Sequence, residues 1–212
     1  MRPDALLLDL DGTLVDSEPL QRSAYEAYFA HRGWDVPDLL IFTGRRAEDV
    51  FATVPGPWSD EDPALVHAGV VSCFPADAVP DEIPGARDLV LTAARAGVPL
   101  AIVTSAGPAW VRRAVGGALD VLSHVAVVVT SEDVTAGKPD PEGFRLACTL
   151  LEVNPSRAIA VEDSPAGVRA ALAAGVGEVV GVSTTHDASV LSDAGATVVH
   201  PDLRGLVTRL SR

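Results

Sequence analysis

Two carboxylates, Asp9 and Asp11, stand two residues apart in the stretch DLDGT. The apolar run Leu6–Leu10 predicts a buried parallel strand. Ligands of α/β proteins bind at the carboxyl ends of such strands, so both carboxylates can share one site there, and Gly12 lets the backbone turn closely past it. An Asp-x-Asp pair alone is as often a solvated turn or a cap. A calcium loop of the EF-hand type is excluded by the spacing of its glycine.

A short loop that carries hydroxyl groups follows a second predicted strand, Leu100–Val103. It has the sequence TSAG, begins at Thr104 and precedes Pro108. A small hydroxyl and free backbone N–H groups ahead of a helix can cradle a phosphate. The same residues can equally form an ordinary helix cap, so the loop is ambiguous by itself.

Two further polar groups stand beside predicted elements. Lys138 lies between a glycine and a proline, which favours a fixed position, although most lysines are simply solvated. Glu162 and Asp163 close a predicted strand and precede a helix. Hard carboxylate oxygens at that point suit Mg²⁺. The alternative for the acidic pair is a helix N-cap with a favourable dipole contact.

The elements that must position these groups follow an α/β pattern. Short apolar runs, most of them rich in Val and Ile, predict parallel strands that are covered on both faces. Several helical patterns between them begin at proline and end at glycine. The predicted strands are Leu6–Leu10, Leu100–Val103, Val125–Val129, Ala158–Val161 and Val179–Val182, with a sixth at Thr197–Val199, and the helices are Ala86–Ala96, Ala109–Leu119, Pro141–Leu151 and Pro165–Ala174. We predict a doubly wound, parallel, Rossmann-like sheet with helices on both faces.

Almost ninety residues separate the first predicted strand from the second, too many for one crossover. This segment contains the helical patterns Pro19–Arg32, Ala47–Val54 and Asp62–Cys73 but no convincing strand. We predict an inserted all-helical cap at residues 19–79 and an α/β core that comprises residues 1–18 and 80–212.

Together, and in this order along the chain, the four signals resemble the haloacid dehalogenase-like superfamily of phosphotransferases. Its motifs stand here as DLDGTLVDSEPL, AIVTSAG, AGKPDPEGF and AVEDSPAGVRAA, and the likeness covers nearly the whole chain. The inserted segment sits where the family's helical cap sits. Within the superfamily, the chain most resembles the small sugar- and polyol-phosphate phosphatases and β-phosphoglucomutase. The stretch GVGEVVGVSTTHDASVL is similar to the phosphatases' last strand and loop.

The resemblance implies a role for each signal. Asp9 would be the nucleophile that attacks phosphorus and becomes an aspartyl-phosphate. Asp11 would protonate the leaving alkoxide and then activate water. An acid at this position favours phosphoryl transfer over dehalogenation, because a halide leaves without a proton. The implied Mg²⁺ ligands are Asp9, the Asp11 carbonyl, Glu162 and Asp163, and the groups that hold the phosphoryl oxygens are Thr104, Ser105, Ala106 and Lys138.

Four other polar residues are candidates for substrate binding. Arg45 and Arg46 follow a glycine in the predicted cap, where sugar-phosphate members of the family carry a similar turn; the alternative is a solvated pair at a helix start. Glu18 and Gln21 lie on the helix after the first motif and can face the substrate. We assign no role to the histidines and expect the tryptophans to pack: His31, His67, His124, His186, His200, Trp34, Trp58 and Trp110.

The composition limits the partners. The chain has 16 basic and 29 acidic residues, a net charge of −13, which argues against nucleic acid and against an anionic membrane surface. A positive field for an anionic substrate must therefore be local. The N-terminus does not read as a signal peptide, so we expect a cytoplasmic protein with reduced thiols at Cys73 and Cys148. We also expect a monomer.

We predict a Mg²⁺-dependent phosphatase that hydrolyses a small sugar or polyol phosphate through an aspartyl-phosphate. One alternative is a phosphomutase like β-phosphoglucomutase. Gln21 replaces a His of that enzyme, the stretch 20–79 lacks lysine, and Gly107 and Pro108 replace a Lys that binds its distal phosphate. The alternative of another class is a receiver-like signalling or phosphate-binding module, whose phosphorylated Asp would follow a later strand.

Overall fold

The computed structural model describes residues 2–36, 38–75 and 77–211. Parallel strands make up the main sheet: β1 (Ala5–Leu8), β4 (Leu100–Val103), β5 (Val127–Val129), β6 (Ala158–Glu162), β7 (Glu178–Val182) and β8 (Val198–His200). Their order is β5-β4-β1-β6-β7-β8, so β1 lies in the middle between β4 and β6. The two-residue strands β2 (Val15–Asp16) and β3 (Asp81–Glu82) form a separate antiparallel pair.

Helices connect these strands. They are α1 (Glu18–Arg32), α2 (Ala47–Thr53), α3 (Pro63–Ser72), α4 (Ala86–Arg95), α5 (Pro108–Val111, continued as a π-helix over Arg112–Ala118), α6 (Glu142–Leu150), α7 (Pro165–Ala173), α8 (Ala188–Asp193) and α9 (Arg204–Leu210). Among the described residues, no helix combines the length and the apolar character that a membrane span requires.

The central strand β1 divides its side chains between two cores. Side chains of a strand alternate between the faces of the sheet. Leu6 packs in a cluster with Leu89 of α4, whereas Leu7 packs in a second cluster with Phe144 of α6 and Val168 of α7. All four residues of β1 are completely buried. Helices thus cover both faces, and the predicted α/β, doubly wound fold class is confirmed.

The predicted strands are all present, with small shifts at their ends. The strand β1 stops two residues before the predicted end, because the Leu10 carbonyl accepts hydrogen bonds from the N–H groups of Leu14 and Val15 and so closes a turn. The short helices α8 and α9, of six and seven residues, were not predicted from the sequence.

The helices α1, α2 and α3 pack around an aromatic cluster of their own. Trp58 lies in this cluster, 2% exposed, and its indole N–H donates to the Val54 carbonyl at 3.0 Å. The other buried rings of the cluster belong to Tyr25, Phe29, Phe42 and Phe51. The pair β2–β3 lies at the two points where the chain passes between this helical part and the sheet. On this basis we propose the division predicted above, a core of residues 1–18 and 80–212 and a cap of residues 19–79.

Candidate active site

The sheet order brings the sequence motifs together. Because β1 lies between β4 and β6, the residues that follow these three strands share one edge of the sheet. Asp9 follows β1, Thr104 follows β4, and Glu162 ends β6 with Asp163 next to it. This is the carboxyl edge, where ligands of parallel α/β sheets bind.

Lys138, the single lysine of the chain, lies buried among the carboxylates. Its Nζ donates to Asp9 Oδ1 at 2.5 Å, to Glu162 Oε1 at 2.6 Å and to the Val103 carbonyl at 3.0 Å. Burial alone would lower the pKa of this ammonium group, but the charges of Asp9 and Glu162 outweigh burial and raise the pKa above its ordinary value. Lys138 therefore carries a fixed positive charge in the site.

Three buried carboxylates form the centre of the site. Each of Asp9, Glu162 and Asp163 offers an oxygen, and these oxygens lie within 4.8 Å of one another. Burial raises the pKa of Glu162 to about 7 and raises the pKa of Asp163 well above its ordinary value, where the charge of Asp9 adds to the effect. Such a group of like charges is stable as carboxylates only beside a compensating positive charge.

The oxygens of this group differ in their hydrogen bonds. Asp9 Oδ2 and Asp163 Oδ2 are buried and have no hydrogen-bond partner among the described residues. Glu162 is satisfied, because Oε1 accepts from Lys138 and Oε2 accepts from the backbone N and the Oγ of Ser164. Buried carboxylate oxygens without donors are costly. Hard oxygens left open in this way fit a divalent cation such as Mg²⁺.

Asp11 is not one of these three carboxylates and has hydrogen-bond partners of its own. Its Oδ1 accepts a hydrogen bond from Ser17 Oγ at 2.6 Å and from Trp110 Nε1 at 2.8 Å. Burial raises the pKa of Asp11 to about 6, although both hydrogen bonds favour the carboxylate. The sequence indicates no role for Ser17 and predicts that Trp110 packs. The expectation for Trp110 was incomplete, because its indole N–H finds its partner at the site.

The loop after β4 closes tightly on itself and on the helical part. Thr104 Oγ1 accepts from the Ala106 N–H at 3.0 Å, and Ser105 Oγ donates to the Gly44 carbonyl at 3.3 Å. The turn after β1 requires a glycine at position 12. Gly12 has a φ of +80°, and a Cβ there would lie 2.1 Å from Asp163 Oδ2. The Gly12 turn therefore brings backbone close to the acidic group.

A cavity of about 570 Å³ extends from the acidic group to the helical part. Asp9 and Asp11 line one end. Of the residues predicted to bind substrate, Gln21 and Arg45 line this cavity together with the loop after β4. Arg45 Nε is buried without a hydrogen-bond partner among the described residues, while Gln21 Nε2 donates to Ser17 Oγ at 3.0 Å. His67, to which no role was assigned, also lines the cavity.

Two predicted substrate-binding residues are not brought into this cavity. The Glu18 carboxylate pairs with Arg22, one helical turn further along α1, at 2.6 Å. Arg46 binds Asp49 and the backbone carbonyls of a core loop, so its guanidinium is already occupied. Both residues pair within the protein, and their contact with substrate stays a prediction.

Comparison with known proteins agrees with this geometry. The sequence matches the haloacid dehalogenase-like hydrolase family over residues 3–175. Validoxylamine A 7'-phosphate phosphatase from Streptomyces hygroscopicus subsp. limoneus is 38% identical over 89% of this chain and 89% of that protein. Hexitol phosphatase A from Escherichia coli K12 is 34% identical over 91% and 89%. The crystal structure of CbbY from Rhodobacter sphaeroides in complex with phosphate has a TM-score of 0.76 at 29% identity, with 96% of each chain covered.

The chain belongs to the haloacid dehalogenase-like hydrolase family, as its four motifs indicated. Phosphatases of this family match it over most of its length, and its site presents the acidic group and the lysine in one place. It is therefore an enzyme of the phosphoric monoester hydrolase class and not a receiver-like module.

Proposed function

We propose that this enzyme is a Mg²⁺-dependent phosphatase that hydrolyses a small phosphorylated sugar or polyol through an aspartyl-phosphate on Asp9. The observation that carries the proposal is the Asp9 carboxylate, which faces the cavity with Oδ1 bound by Lys138 and Oδ2 open. The named relatives are a validoxylamine A 7'-phosphate phosphatase and a hexitol phosphatase, which supports a small phosphorylated sugar or polyol as the substrate. The cytoplasmic location and the monomeric state stay predictions.

Lys138 and the loop after β4 would receive the phosphoryl group. A chain with a net charge of −13 repels an anionic ester unless positive groups lie at the site itself. Lys138 supplies a buried ammonium beside the nucleophile. The Thr104 hydroxyl, whose oxygen accepts from the Ala106 N–H, and the Ser105 N–H would supply hydrogen-bond donors. These groups would hold the phosphorus in line with the Asp9 oxygen.

Asp9, Asp163 and the Asp11 carbonyl would hold Mg²⁺, whose charge, when bound, would reduce the repulsion between two anions and stabilise the transferring phosphoryl group. Glu162 was predicted as a further ligand. Because both of its oxygens accept hydrogen bonds from Lys138 and Ser164, we propose that Glu162 acts chiefly by holding Lys138 in place.

Asp11 would move the protons. Ser17 and Trp110 both bind Oδ1, so we assign the proton transfer to Oδ2. A carboxyl group with a raised pKa can protonate the leaving alkoxide as the Asp9–phosphorus bond forms and the phosphorus–oxygen bond of the ester breaks. The resulting carboxylate can then take a proton from the water that attacks the aspartyl-phosphate and releases inorganic phosphate.

Phosphate release from a panel of sugar and polyol phosphates tests this proposal. We expect turnover with Mg²⁺, loss of turnover after chelation, and no turnover by Asp9→Asn under the same conditions. Acid-quenched enzyme should carry a phosphoryl group on the peptide that contains Asp9. Full activity of Asp9→Asn, or full activity after exhaustive chelation, would contradict the covalent or the metal assignment respectively.

Hydrolysis is favoured over the mutase alternative by the groups that surround Asp11. A mutase must keep its aspartyl-phosphate from water until a second sugar hydroxyl arrives. Here Gln21 is bound to Ser17, and the stretch 20–79 offers no lysine for such control. We therefore expect inorganic phosphate from β-glucose 1-phosphate with a trace of glucose 1,6-bisphosphate. Formation of glucose 6-phosphate without matching inorganic phosphate would support the mutase instead.

A further inference from the structure

Two aromatic rings from different parts of the chain meet in the lining of the cavity. Phe74 follows α3 in the helical part, and Trp110 lies on α5 beside the sheet. Their ring centroids are 6.0 Å apart with an angle of 59° between the planes. Both side chains line the cavity and both are only partly buried. We call this pair the aromatic wall.

The aromatic wall has a fixed position relative to the reaction. Trp110 donates its indole N–H to Asp11 Oδ1 at 2.8 Å. Under the proposed function, Asp11 gives its proton to the oxygen through which the leaving group is attached to phosphorus. The part of the leaving group nearest to this oxygen must therefore pass beside the Trp110 ring.

The rest of the cavity lining combines apolar and polar side chains. Val70 and Pro75 add further apolar side chains to the lining. Polar side chains that line the cavity include Gln21, Arg45, His67, Arg113 and Glu132. Such a lining complements a ring whose C–H groups form an apolar face and whose hydroxyl groups point outward.

An open-chain polyol fits this lining less well. It has no persistent apolar face, and its rotatable bonds must be ordered on binding, which costs conformational entropy. We propose that the aromatic wall selects phosphate esters with a cyclic leaving group, a pyranose or a carbocycle, over open-chain polyol phosphates. This inference rests on the proposed function and specifies its substrate class.

Glucose 6-phosphate and glucitol 6-phosphate test the inference, because both are hexose-derived esters of a primary hydroxyl and they differ mainly in ring closure. We expect kcat/KM to be roughly tenfold higher for the cyclic ester, the size of effect that aromatic contacts give. Phe74→Leu should reduce this preference to about threefold or less. Phe74→Tyr, which keeps the ring, should retain it. Leu65→Ala, on an exposed position of α3, should change neither value.

The outcomes separate this inference from the proposed function. Equal kcat/KM for the two hexose esters, or a preference that Phe74→Leu leaves unchanged, would overturn the role of the aromatic wall while phosphatase activity stands. Failure to hydrolyse both esters and p-nitrophenyl phosphate would count against the proposed function and this inference together. A general folding defect would lower both rates equally, so the ratio reports the wall itself.

Discussion

The buried charged residues of the site compensate one another's charges only when all of them are present. One ammonium, that of Lys138, lies between Asp9 and Glu162, and each of the three side chains is at least nine-tenths buried. Removing one member of a buried ion pair leaves an uncompensated charge, whereas removing both members can be nearly neutral. The site therefore makes a stability prediction that does not depend on turnover.

Lys138→Met should lower the free energy of unfolding by about 3–5 kcal/mol in metal-free buffer. The double variant Lys138→Met with Glu162→Gln should recover part of this loss, because it also removes one of the stranded negative charges. Urea unfolding of the three proteins measures both effects. Arg157→Met, which breaks an exposed ion pair with Asp4, is the matched control and should change stability little. A double variant no more stable than Lys138→Met would contradict the pairing.

Ser17 and Trp110 are positioning residues for Asp11. Ser17→Ala and Trp110→Phe should each lower kcat on alkyl phosphates about tenfold, because each removes a hydrogen bond to a charged carboxyl group. Aryl phosphates should be affected less, since an aryl oxide leaves with little need of a proton. Trp34→Phe, in the aromatic cluster of the helical part, is the control and should leave the alkyl-to-aryl ratio unchanged. Equal losses on both ester classes would indicate a structural effect only.

The sequence predicted the convergence of the acidic residues because parallel strands end at one edge of a sheet. It did not predict the partners of Asp11. Ser17 lies on the turn into α1, and Trp110 comes from 99 positions away. A tryptophan at a helix start is equally compatible with packing, so only the three-dimensional arrangement reveals that its N–H reaches the site.

At the level of elements, hydrogen bonds connect the start of helix α2 to the loop that carries Lys138. Arg46, just before α2, donates to the carbonyls of Val134 at 3.3 Å and Thr135 at 2.8 Å. Asp49 Oδ2 accepts from the Gly137 N–H at 3.1 Å. Gly137 allows this approach, because a Cβ there would lie 2.6 Å from that oxygen. The position of the helical part and the position of Lys138 are thereby linked.

Arg46→Ala should release this link. We expect faster amide hydrogen exchange in residues 131–138 and a severalfold lower kcat/KM, since the lysine would be held less firmly. The neighbouring variant Arg45→Ala is the control. It should raise KM through the cavity that Arg45 lines, but leave exchange in residues 131–138 unchanged. Unchanged exchange in Arg46→Ala would show that the contacts do not restrain the loop.

The sequence predicted the long elements better than their contacts. The helix starting at Pro165 and the strands rich in Val follow local signals, namely the proline at the helix start and the short apolar runs. The short helices α8 and α9 have too few turns for their apolar residues to show a clear helical periodicity in the sequence. The link through Arg46 spans 85–89 positions and depends on how α2 docks, which no local pattern contains.

At the level of the whole molecule, strong negative charge and a buried acidic group make the fold sensitive to cations. Because the net charge is −13, acidic side chains repel one another throughout the protein, and any salt screens this repulsion. In addition, the buried Oδ2 atoms of Asp9 and Asp163, which lack hydrogen-bond partners among the described residues, favour a cation at one specific position. A magnesium ion bound there would stabilise the folded state beyond what general screening provides.

The thermal transition should distinguish the specific effect from screening. Mg²⁺ at about 100 times its Kd stabilises the folded state by about 2.7 kcal/mol. For a chain of this size, that corresponds to an increase in Tm of about 5–10 °C. NaCl at the same ionic strength should give a smaller increase, and the difference between the two salts should vanish in Asp163→Asn. If NaCl reproduces the whole increase, or if Asp163→Asn keeps the difference, the metal does not bind at the acidic group.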